Sequence, residues 1–107
     1  MRQADENVRS WGGCLHLVYL PAWRRGRDSD GASPFYARVR EMVLGIMDKL
    51  QIPIVDLVPE FHAHPEPQRL NSYPRGGGHY SPTGYGIVAD AVLSYLSNLR
   101  GKDCAAF

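Results

Sequence analysis

The 107-residue sequence predicts an α/β fold, with two parallel strands and helices that cover them. Three observations predict it. Two short apolar runs, "LHLVYLP" at residues 15–21 and "IPIVDLVP" at residues 52–59, have the β-branched content and proline boundaries of strands covered on both faces. Between them, "SPFYARVREMVLGIMDKLQ" places apolar residues at i, i+3, i+4 and i+7, the stripe of an amphipathic helix. The order strand–helix–strand then makes the two strands parallel neighbours joined by a right-handed crossover.

Taken in order, residues 1–13 read as an N-terminal helix or linker. The first strand places Leu15, Leu17 and Tyr19 on one side and His16, Val18 and Leu20 on the other, with His16 a core or interface histidine. "AWRRGRDSDGAS", residues 22–33, is charged and glycine-containing and reads as a solvent-facing loop. Ser33 and Pro34 supply an N-cap and a first helical residue. The helix they start has Phe35, Val39, Met42, Val43, Ile46, Met47 and Leu50 along its apolar stripe. Gly45 costs that helix about 1 kcal/mol relative to alanine and is expected to mark a close packing point. The second strand begins at Pro53, where proline is tolerated at a strand's start. Residues 60–78 hold several prolines and histidines and end in three glycines. They read as one long loop, a class that is functional or disordered when longer than about 12–15 residues. Ser81 and Pro82 open a last helix with Tyr85, Val88, Ala89, Val92, Leu93, Leu96 and Leu99 on one stripe. Gly101 ends it, and residues 101–107 are a tail.

The whole is a single partial α/β domain with its core in residues 14–100. A formal net charge of +1 gives no reason to expect nucleic acid as a partner. No apolar run approaches the roughly 20 residues that cross a bilayer, so no membrane partner is expected. The first residues lack the apolar core of a secretory signal, which points to the cytoplasm for the chain as given. Cys14 and Cys104 match no C-x-x-C spacing and read as two free thiols, with a disulfide as the alternative. A two-stranded sheet leaves an open edge at its first strand and helix faces with little to pack on. The chain therefore reads as part of a larger doubly wound domain or as half of a homodimer.

The closing block carries a resemblance. "IPIVDL" followed by "GGHYSPTGYGIVADAV" resembles the C-terminal half of the SGNH, or GDSL-type, hydrolases. There a last strand of the form Pro-apolar-apolar-Asp-apolar precedes a loop reading His-aromatic-Asn/Ser-Pro-x-Gly, and the final helix follows at once. The resemblance covers residues 12–100. It implies the C-terminal βαβα portion of a three-layer α/β/α, flavodoxin-like fold. It also implies a serine ester hydrolase that acts on carbohydrate or lipid esters without a cofactor. His79 stands at the position of the family's general base. Gly76 stands three residues earlier, where the family has an orienting Asp, so Glu60, Asp56 or a backbone carbonyl is the candidate to replace it.

The family's Gly-Asp-Ser nucleophile block has no counterpart. Asp28-Ser29-Asp30 follows the wrong strand. The expectation is a hydrolase fragment with the histidine block and no nucleophile, weak or inactive alone. Met1 would then be internal to a longer reading frame, exported if that parent carries a signal, or the start of a natural remnant. The alternative is a non-catalytic interaction domain that self-associates through its open sheet edge. In the hydrolase reading Trp23, Arg24 and Tyr73 line the substrate cleft, since ligands bind beyond the carboxyl ends of strands in open α/β sheets. His62 and His64 lack a third ligand at motif spacing and read as solvated loop residues, so no metal is expected.

Overall fold

The computed structural model describes residues 1–21, 34–71 and 79–99. Along the chain these form α1 (Arg2–Ser10), β1 (Leu17–Tyr19), α2 (Pro34–Leu50), β2 (Ile54–Asp56), α3 (Val58–Ala63), a 3-10 turn (Pro67–Leu70) and α4 (Pro82–Asn98). β1 and β2 pair in parallel, with Leu17 opposite Ile54, Val18 opposite Val55 and Tyr19 opposite Asp56. The expected strand–helix–strand unit is present, with both strands shorter than the apolar runs that contain them.

Side-chain alternation assigns the faces. Val18 and Val55 pack toward a core of Leu57, Phe61 and Leu70, together with Ile87, Val88 and Ala91 of α4. His16 shares that face, and its Nδ1 lies 2.8 Å from the Tyr95 hydroxyl of α4. The opposite face carries Asp56, which accepts from Nε of Arg40 in α2 at 2.9 Å and also pairs with its Nη2. The second carboxylate oxygen of Asp56 takes the Val58 backbone N–H at 3.2 Å. The two long helices thus lie on opposite faces of the sheet.

Helix ends follow from local chemistry. α2 stops in a Schellman turn: Ile52 N–H bonds the Met47 carbonyl at 2.9 Å and Gln51 N–H bonds that of Asp48 at 3.0 Å. The turn needs a left-handed residue, and Gln51 adopts φ 55°. Met47 and Ile52, at the positions where this motif commonly brings apolar residues together, are 2% and 3% exposed. α1 ends the same way with Gly12 at φ 83° and Gly13 N–H on the Val8 carbonyl.

Four expectations are corrected. Residues 60–78 are not one long loop, because α3 and the 3-10 turn occupy its first half. Pro59 does not end a strand but sits in the first turn of α3, where its missing N–H costs nothing. Gly45 is exposed and a Cβ there would meet nothing; the close approach is at Gly84, where a Cβ would strike the Leu70 carbonyl. Cys14 is disulfide-bonded rather than free. The spacing rule sees only nearby cysteines, and the chain's other cysteine, Cys104, lies outside the described residues along with Ser33 and Gly101.

Candidate functional site

His79 precedes α4 in a short strap that is tied down on both sides. Ser81 N–H bonds the Leu70 carbonyl at 2.9 Å, and an antiparallel bridge joins Asn71 to Tyr80. Ser81 Oγ donates to the Arg69 carbonyl at 2.6 Å and accepts from Gly84 N–H at 3.2 Å, so it is both lock and helix cap. Gly84 is buried beneath this crossing because the Leu70 carbonyl leaves no room for a side chain.

Tyr80 fixes the strap to the sheet. Its hydroxyl donates to the carbonyl of Pro21, just past the carboxyl end of β1. Its ring lies 5.1 Å from that of Phe61 and 5.6 Å from that of Tyr85. His79 is therefore held at the carboxyl end of the parallel pair by a neighbour rooted in the core. The imidazole is exposed, and among the described residues no hydrogen bond engages it.

The other candidates are distributed as follows. Asp56 is committed to Arg40 and to the α3 backbone, so it does not orient His79. Glu60 is exposed in the first turn of α3 and makes no hydrogen bond to His79. It lines a groove of about 490 Å³ with Val55, Ile87, Asp90 and Tyr95. Trp23, Arg24, Tyr73 and Ser29 lie outside the described residues. His64 Nδ1 accepts from Glu66 N–H at 3.0 Å, and His62 is exposed near the end of α3. Among the described residues no group of His, Cys, Asp and Glu could hold a metal ion.

A second cavity of about 460 Å³ is lined by Leu44, Met47, Asp48, Gln51 and Ile54. It opens at the amino-terminal end of β2, the opposite end of the sheet from His79, and brings no chemical constellation together. Burial raises the Tyr95 phenol above its ordinary value, which favours the neutral form facing His16.

Sequence reasoning placed His79 and Ser81 but passed over Tyr80, Gly84 and Asn71. An aromatic residue between a histidine and a helix cap was the available signal for Tyr80. Asn71, 7% exposed, is a buried polar residue whose role arises only from the strap lying across it.

The described serines offer no partner for His79. Ser81 is used by the cap, and Ser10 donates to the Asn7 carbonyl at 2.6 Å. Ser94 and Ser97 lie on the far half of α4, at least about 18 Å along the axis from its first residue. No family model, no curated protein and no solved structure matches this chain.

Proposed function

We propose that the chain carries the general-base histidine of an SGNH-type ester hydrolase and lacks the serine nucleophile block, so that its nucleophile comes from outside this chain. The observation that carries this reading is the placement of His79. An exposed ring with no hydrogen bond among the described residues stands at the carboxyl end of a parallel sheet, where open α/β folds bind ligands. The "HYSPTGY" block supports it through the resemblance.

In this reading an imidazole nitrogen of His79 accepts the proton of a hydroxyl as that oxygen attacks an ester carbonyl. It then returns the proton to the departing alkoxide. The substrate class is a carboxylic ester on carbohydrate or lipid. Alone, the chain turns over such esters only weakly.

Two measurements test the proposal. Hydrolysis of a short-chain aryl ester should exceed the buffer rate slightly and fall to that rate in His79→Ala. A serine-directed fluorophosphonate should leave the chain unlabelled. Equal rates in wild type and variant remove His79 from the chemistry, and stoichiometric labelling overturns the absence of a nucleophile.

A further inference from the structure

The two edges of the sheet are not alike. Leu17 N–H bonds the Pro53 carbonyl at 2.9 Å, and Leu57 N–H bonds the Tyr19 carbonyl at 3.1 Å. In a parallel ladder alternate residues face the partner strand, so Leu17 and Tyr19 point their main-chain groups toward β2. Val18 therefore points its N–H and C=O away, to the outer edge of β1. No charge or proline within Leu17–Tyr19 blunts that edge.

Both covering helices leave apolar stripes beside the same edge. On α2, Arg40 reaches Asp56, and Leu44 and Met47 line a cavity with Ile54, so that flank faces β2. Phe35, Val39, Met42 and Ile46, at i, i+4, i+7 and i+11, lie on the flank turned away from β2. On α4, Ile87 and Ala91 line the groove beside Val55, and Tyr95 reaches His16 of the β1 side. Tyr85, Ala89, Val92 and Leu96 continue round the helix beyond Tyr95, again on the side of β1. The stripes are open: Phe35 is 58% exposed, Met42 65%, Ile46 46%, and Tyr85 and Leu96 52% each.

We infer that a second copy of this chain occupies this surface, joined β1 to β1 in antiparallel fashion about a two-fold axis at Val18. Val18 opposite its own copy exchanges both N–H···O=C bonds, which satisfies main-chain groups that no other described strand pairs. The same axis sets α2 against α2 and α4 against α4, stripe on stripe, and makes a four-stranded sheet. Taking roughly 200 Å² for a large side chain, the five named residues present on the order of 500 Å² per copy. Two copies then cover about 1,000 Å², the size at which interfaces become specific, before the strand itself is counted. The inference does not depend on the hydrolytic reading, since no residue of the strap around His79 takes part.

The test is the solution mass of the full chain over a wide concentration range, with a non-reducing denaturing gel showing single chains. The expected species is a dimer, twice 12.0 kDa. Met42→Glu and Leu96→Glu should each raise its Kd about tenfold or more with the far-UV spectrum and melting of the monomer retained. Asp90→Lys, on the opposite flank of α4, should leave the Kd unchanged. The Val18 amide should exchange slowly in the dimer and fast in the two Glu variants. A monomer at every concentration, a mass that grows beyond two copies, or a covalently linked pair overturns the inference. So does a dimer indifferent to both Glu variants, or one whose Val18 amide exchanges fast.

Discussion

Gly84→Ala isolates the contact that holds the His79 strap. The added methyl would strike the Leu70 carbonyl and approach Tyr80 Cβ at 3.0 Å and the Leu70 carbonyl carbon at 3.1 Å. Leu70 O cannot simply swing aside, because it accepts the Ser81 N–H at 2.9 Å. Relief requires moving backbone on one side of the crossing, and overpacking of this kind costs about 1–3 kcal/mol. Alanine returns up to about 1 kcal/mol of helix propensity at the same position. The net expectation is a loss of about 1–2 kcal/mol, or a melting temperature lower by about 4–8 °C for a chain of this size.

Gly45→Ala and Gly86→Ala are the matched controls. A Cβ at either meets nothing within 4 Å, so only the propensity gain remains, about 0.5–1 kcal/mol of added stability. Thermal unfolding followed by far-UV circular dichroism, checked by urea titration, ranks the three. If Gly84→Ala melts as high as Gly86→Ala, then Leu70 and α4 are not in the contact described, and the account of how His79 is positioned falls with it.

Two further predictions rest on single side chains. Gln51→Gly relieves a left-handed backbone that costs a residue with a Cβ roughly 1–2 kcal/mol, and should stabilise the chain by about 1 kcal/mol in urea unfolding; a loss of stability would show that the Gln51 side chain contributes more than its backbone strain costs. Tyr95→Phe removes the hydroxyl facing His16 and should cost about 1 kcal/mol near neutral pH. Because burial raises the Tyr95 phenol in the folded chain, the unfolded state ionises first. That part of the stability is present below the ordinary tyrosine range and is lost as pH rises through the folded value. Unfolding measured across the alkaline range should show a decline in wild type that is smaller in Tyr95→Phe, and identical slopes would refute the linkage.

Much of the fold was legible because it is written in local pattern. The α2 stripe, the Ser81-Pro82 helix start and the two apolar runs each report a physical period or a cap; both helices appear where expected, and each run holds a strand of three residues. The reading failed where one residue type serves two purposes. Pro59 ends a strand as readily as it opens a helix, and a run of prolines and histidines hid α3 and the 3-10 turn. Gly45 and Gly84 are alike in sequence, yet only the second lies against another segment. Asp56 and Glu60 both read from sequence as carboxylates that could orient His79, and Arg40, sixteen positions earlier, claims the first.

By itself, then, the sequence determined the order β1, α2, β2 and α4, the parallel sense of the strands and the position of His79 at a helix mouth, because these depend on spacing within a few turns of chain. Only the tertiary structure decided which glycine is crowded, which carboxylate is engaged and what anchors the histidine strap. It also decided which faces of the two long helices stay exposed, with Phe35, Met42 and Leu96 among them. Each of those is a contact between residues far apart in the chain, and no local pattern encodes the distance between them.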